Sequence, residues 1–292
     1  LPAAACHGGT VVGSPRIPLG RKSGYAAPMC LIAFHFAPDS ARPITLIANR
    51  DEVHSRPTAP LAAWPDAPGL VAGRDLEAGG TWLGIHRRGR FAAITNVRDP
   101  ELIPPQPSES RGLLVRRGLE TDDLEAWLEC QSAGEALRYG GFNLLIGDGK
   151  RLWHLERHRH GCALQAVEAG VHGLSNASLD TPWPKLVQVR NALAKDIAEA
   201  RHASLASARQ GFLDRGPAPD GSLPDTGVGL ELERFLSPAF IVGDDYGTRA
   251  TSELTLHRDV NGERFDISER RFGPGGRPQD ETRLALTIER DG

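Results

Sequence analysis

A cysteine at position 30, directly after Met29 and at the head of the apolar run Leu31-Ile32-Ala33-Phe34, constrains this chain more than any other feature. The run reads as a buried strand, which places Cys30 at a strand start. If translation starts at Met29 and the methionine is removed, Cys30 becomes residue one and carries both a thiol and a free α-amine. An α-amine has a pKa of about 7.7–8.0 against about 10.4 for a lysine, so much of it is neutral at working pH. It can take the thiol proton directly or through a water, the activation that a nucleophilic cysteine requires. The plainer alternative is a core thiol, because free cysteine is among the most buried residue types.

Residues 1–28 are rich in Ala, Gly and Pro and show neither strand nor helix periodicity. No basic start leads into an apolar core, so the segment is not an ordinary secretory signal. Leu1-Pro2-Ala3-Ala4-Ala5-Cys6 faintly resembles a lipoprotein cleavage box, but the hydrophobic stretch that should precede it is missing. The segment is expected to be disordered or removed, either as upstream sequence from a mis-set start or as a propeptide cut between Met29 and Cys30. Residues 29–292 are expected to form one domain.

From Met29 onward the pattern runs strands, helices, strands. Residues 30–36 and 44–49 read as strands around a Pro38-Asp39-Ser40 turn, and 56–68 as a proline-rich loop. Hairpins are expected at 82–86 with 90–95, at 142–146 with 151–155, and at 251–256 with 264–272 around Asn261-Gly262. Shorter strands are read near 162–168, 171–174 and 284–288. Helices are read at 108–120 and 121–130 and from Pro184, where Leu186, Val189, Leu193 and Ile197 recur at helical spacing. The Gly/Pro/Asp-rich stretch 209–229 is a candidate lid or flexible insert. Many antiparallel hairpins with two helical regions fit an α+β fold of two stacked sheets flanked by helices.

Composition removes several function classes. A net charge of −3 gives no electrostatic case for nucleic acid or an acidic membrane surface. No run approaches the roughly 18 apolar residues of a membrane span, so no stable membrane insertion is expected. Cysteines 6, 30, 130 and 162 are few and scattered, which suits a reducing cytoplasm better than a disulfide framework. His154, His158 and His160 are flanked by Arg157 and Arg159, which would repel a cation, and no metal site is expected there. Gly147-Asp148-Gly149-Lys150 lacks the full phosphate-loop pattern and reads as a turn.

Four ordered motifs carry a family resemblance: Met29-Cys30 with Asn49-Arg50-Asp51-Glu52, Gly79-Gly80-Thr81-Trp82-Leu83-Gly84, Gly173-Leu174-Ser175-Asn176 leading to Leu179-Asp180-Thr181-Pro182-Trp183-Pro184-Lys185, and Tyr246-Gly247-Thr248-Arg249. Together they resemble the NRDE family, also called the TANGO2 (transport and Golgi organisation 2) family, over nearly the whole chain. That family is similar in turn to the N-terminal-nucleophile (Ntn) hydrolases of the choloylglycine hydrolase and penicillin V acylase branch. The resemblance implies a four-layer αββα sandwich and a set of site residues. Cys30 would be the nucleophile, and Arg50 would hold the thiolate or a substrate carboxylate. Asn176 would donate to an oxyanion, with Asn49 and Asn96 as weaker candidates for an oxyanion or substrate contact, and Arg249 would help hold the Asp and the amine. Asp51 follows Arg50 directly, whereas the acylase branch has its aspartate three residues further on. The group that orients the α-amine is therefore open between Asp51, Asn49 and Glu52.

The function so implied is hydrolysis of a non-peptide C–N amide bond through an acyl-enzyme, without a cofactor. The alternative is a carrier that keeps the same pocket for an apolar ligand such as haem or an acyl-CoA. The ligand is a small molecule in either case, and the oligomeric state is not legible.

Overall fold

The computed structural model describes residues 29–102, 108–200 and 204–289, so the leader 1–28 lies outside the described residues. Among the described residues, thirteen strands build two antiparallel sheets. The first contains β1 (Met29–Phe36), β2 (Ile44–Val53), β10 (Gly170–Leu174), β11 (Tyr246–Asp259), β12 (Gly262–Gly273) and β13 (Arg277–Thr287), in the order β10-β1-β2-β11-β12-β13. The second contains β3 (Thr58–Ala63), β4 (Leu70–Asp75), β5 (Leu83–His86), β6 (Arg90–Asn96), β7 (Phe142–Gly147), β8 (Leu152–His158) and β9 (Gly161–Ala166), in sequence order. Helices α1 (Arg111–Glu120) and α2 (Leu124–Ser132) pack on the second sheet, and α3 (Pro184–Ala198) and α4 (Ala206–Phe212) on the first. A short α5 (Leu230–Leu236) follows.

Strand β1 shows why the layers stack this way. Ile32, Phe34 and Phe36 point into the core between the sheets, while Leu31 and Ala33 pack beneath α3 and α4. A strand covered on both faces needs apolar residues at every position, which accounts for its unbroken run. Each large apolar side chain buried there contributes about 1.5–3 kcal/mol. A third cluster, with Leu114, Val115 and Leu119 of α1, seals the outer face of the second sheet. The result is the αββα sandwich that the resemblance implied. Among the described residues, no helix is long and apolar enough to cross a membrane.

Several boundaries differ from the sequence reading. The proline-rich loop 56–68 contains β3, and β4 follows it unannounced. The exposed edge position of β3 and its small residues (Ala59, Ala62, Ala63) leave no strong alternation to read, and β4 is an interior strand whose first four residues are all buried. Strand β11 starts at Tyr246 instead of 251, with a bulge between Thr248 and Ala250 that interrupts the pattern. Strand β2 runs on to Val53, so Arg50 lies inside a strand and not at its end. The stretch 209–229 begins as the last turns of α4, and Thr226 N–H donates to Glu233 of α5 at 3.0 Å.

Candidate functional site

Strand pairing assembles the site. Cys30 and Arg50 are direct cross-strand partners in the β1–β2 register, and Met29 faces Asp51. Side chains alternate along a strand. Cys30, Arg50 and Glu52 therefore reach the gap between the sheets, while Asn49 and Asp51 turn toward α3 and α4.

The gap opens into a cavity of about 450 Å³ lined by Cys30, Arg50, Glu52, Trp82, Asn96 and Arg111, among others. Arg50 lies 4.4 Å from the Trp82 ring centroid and 3.5 Å from Glu52. Two glycines make this wall possible. A Cβ at Gly73 would meet the Trp82 ring at 2.4 Å, and one at Gly80 would meet the Gly112 backbone at 2.2 Å. The Gly79-Gly80-Thr81-Trp82 motif thus lets the start of α1 close onto β5 and brings Arg111 to the cavity.

The thiol of Cys30 is pushed up to about 12, first by burial and then by the Asp51 charge, with Arg50 pulling the other way. In a chain that continues upstream through Met29, Cys30 is therefore held as a neutral thiol.

Asp51 is fully buried; its Oδ1 accepts from Thr248 Oγ1 at 2.6 Å, and its Oδ2 has no hydrogen-bond partner. Burial raises its pKa, and the nearby Lys185 ammonium opposes that rise. Lys185 is buried at the start of α3, donates to the Leu236 carbonyl at 2.8 Å, and has its own pKa lowered by burial. Lys185 is thus a site residue that sequence reasoning passed over. The available signal was a lysine one place after the helix-starting Pro184, on the face that packs against β1.

Breaking a buried charge pair from one side costs about 3–5 kcal/mol. We expect Lys185→Met to lose stability of that order at pH 8 in urea unfolding. The double variant Lys185→Met/Asp51→Asn should regain most of it. A carboxyl whose folded pKa lies above its unfolded one costs no stability while it is protonated in both states. The penalty grows as pH rises from the unfolded value through the folded one. The single variant should therefore be nearly as stable as wild type near pH 4 and fall behind as pH rises. A loss independent of pH would contradict the pairing.

The remaining expected residues divide clearly. Asn176 is buried beside β1: Ser175 Oγ lies 3.5 Å from the Cys30 carbonyl, and Asn176 Nδ2 donates to the Asn96 carbonyl at 3.0 Å. A buried polar chain fixes this segment. Gln165 Nε2 lies 3.0 Å from His154 Nδ1, His154 Nε2 lies 3.0 Å from Asn143 Oδ1, and Asn143 Nδ2 reaches Thr95 Oγ1 at 3.1 Å and the Ala177 carbonyl at 3.0 Å. Burial lowers the His154 pKa, and its two neighbours fix one neutral tautomer.

Asn49 stands apart from the cavity. Its Nδ2 donates to the Phe212 and Ala239 carbonyls, both at 2.8 Å, and its Oδ1 accepts from Thr251 at 2.6 Å. These bonds use both of its N–H groups to tie β2 to the helical layer, leaving none for an oxyanion. Arg249 donates to the Val53 carbonyl at 3.2 Å and the Thr58 hydroxyl at 3.3 Å. Within the Tyr246–Arg249 motif it is Thr248, one residue earlier, that holds Asp51. Among the described residues, no group of three or more His, Cys, Asp or Glu is placed to hold a metal.

The profile of the Transport and Golgi organisation 2 family matches residues 29–274. The Homo sapiens Transport and Golgi organization protein 2 homolog is 33% identical over 257 residues, covering 79% of this chain and 90% of that protein. The Bos taurus homolog is 31% identical over 251 residues, with the same coverage. Two solved structures share 8% identity with the chain. A mutant form of a conjugated bile acid hydrolase from Clostridium perfringens has a TM-score of 0.46 and covers 81% of this chain and 91% of that one. A Caenorhabditis elegans ortholog of N-acylethanolamine-hydrolyzing acid amidase has a TM-score of 0.42 and covers 60% and 85%.

Proposed function

The chain belongs to the Transport and Golgi organisation 2 family, and from that premise we propose that this protein is an N-terminal-cysteine hydrolase of non-peptide amides. One observation carries the reading. Cys30 and Arg50 pair in register and both line a cavity, and the carboxylate of the neighbouring Asp51 keeps a buried oxygen without a hydrogen-bond partner. An α-ammonium at Cys30 is the donor that would satisfy this oxygen, which favours Asp51 over Asn49 and Glu52 as its anchor.

In the working form, the neutral α-amine takes the thiol proton and the thiolate attacks the amide carbonyl. Arg50, steadied by Trp82 and Glu52, holds the thiolate by a charge-assisted hydrogen bond. One N–H of Asn176 is spent on the Asn96 carbonyl, and the other is a candidate donor to the oxyanion. Collapse of the intermediate releases the amine, which takes the proton from the α-ammonium, and water then hydrolyses the thioester. Among the described residues the cysteines, Cys30, Cys130 and Cys162, are all free thiols, which supports a cytoplasmic site of action.

A second reading is favoured by the neutral state of the Cys30 thiol in the upstream-extended chain. In that form the cavity has no nucleophile and would serve as a carrier site for haem or an acyl-CoA.

The test sets wild type against Cys30→Ala, each beginning at residue 30, with a panel of acyl amides, haem and acyl-CoA. Intact mass should show an acyl adduct on Cys30 that later disappears, and no adduct on the alanine variant. If no amide acylates Cys30 and one ligand binds both proteins equally, the carrier reading replaces the hydrolase.

A further inference from the structure

The charges around the cavity pair off, with one exception. Arg56 meets Asp75 at 2.7 Å and stands 3.8 Å from Glu52, whose other neighbour is Arg50. Arg98 is paired with the buried Glu233. Asp99 accepts from Arg159 at 2.7 Å, and Glu109 accepts from Arg117 at 2.5 Å. Arg111 has no carboxylate partner among the described residues. Its Nη1 donates to the Gly141 carbonyl at 3.0 Å, which leaves most of its five N–H groups uncommitted.

The setting makes that bare charge costly. Arg111 opens onto the cavity but is otherwise enclosed by protein, and burial lowers its pKa to about 10. The groups that pull the value back up are Cys30 and Glu52, so Arg111 lies within electrostatic reach of the nucleophile. It is also the first residue of α1, and the Ser110 side chain makes no hydrogen bond to the first turn. An uncompensated guanidinium in such a wall is stabilised when a ligand brings the missing negative charge.

We propose that Arg111 is the specificity residue of this cavity and anchors a carboxylate or phosphate group on the ligand. The apolar remainder of that ligand lies along Trp82, Ile94, Val97 and Leu102 on the same walls. Building on the hydrolase reading, the substrate class becomes an amide that also carries a negatively charged group. Arg50 serves the reacting bond and Arg111 the charged group.

The experiment measures binding, not turnover, in the full chain carrying Cys30→Ala. Three probes are titrated: N-decanoylglycine, its uncharged analogue N-decanoylglycinamide, and decyl phosphate. A charge-assisted hydrogen bond in a partly buried site is worth about a 10- to 100-fold change in affinity. At least one anion should bind more tightly than the glycinamide by that factor. Arg111→Met should erase the preference while leaving glycinamide affinity within about twofold, and Arg111→Lys should restore part of it. The anion that loses more in Arg111→Met identifies the head group as carboxylate or phosphate.

Equal losses for charged and neutral probes would mean that Arg111 only shapes the wall, which overturns the proposal. Failure of both anions to bind at millimolar concentration, or wild-type binding without preference, overturns it as well. The outcome is separable from the hydrolase reading. Anion preference without acylation of Cys30 would leave the anchor standing and remove the chemistry, and acylation without anion preference would do the reverse.

Discussion

Alkylation of Cys30 by iodoacetamide at pH 8 should be about 10³-fold slower in the upstream-extended chain than for an ordinary cysteine. The thiolate is the reacting form. With the thiol pushed up to about 12, roughly one molecule in 10⁴ is ionised at that pH, against about a quarter for a free cysteine near 8.5. The rate should climb about tenfold per pH unit up to that value. In a chain beginning at Cys30, the α-amine supplies a local base and its protonated form a positive charge. The rate at pH 8 should then match or exceed that of a free cysteine. Rapid alkylation of the extended chain, with a plateau near pH 8–9, would show that burial and Asp51 do not control this thiol.

The site divides into parts that were legible in the sequence and parts that were not. The Cys30–Arg50 pairing follows from two apolar runs joined by a short turn, because an antiparallel hairpin brings the head of one strand opposite the end of the next. The Trp82 wall was visible only as a glycine-rich motif. Its meaning depends on the close approach of Gly80 to Gly112, which lies more than thirty residues away in sequence. Lys185 and Thr248 both lay within quoted motifs but carried no local sign of their role. Each acts on Asp51 across the fold, and a long-range contact leaves no periodicity. Asn49 illustrates the opposite failure. Its place in the Asn49-Arg50-Asp51-Glu52 motif suggested the cavity, but strand alternation turns it to the helical side, where it ties two backbone carbonyls. Arg111 had no signal beyond a helix start, because a missing counter-ion is a property of the assembled wall.

The central claim is that Cys30 acts through its own α-amine. Two chains that differ only at the N-terminus test it: one begins at Cys30, and the other retains Met29 behind a preceding residue that blocks its removal. Both receive the same activated acyl amide, and intact mass follows the adduct on Cys30 with time. The chain beginning at Cys30 should acylate and turn over, while the Met29-retaining chain, with an amide nitrogen in place of the amine, should form no adduct. Equal acylation of the two would contradict the claim, because the base would then have to be some group other than the α-amine.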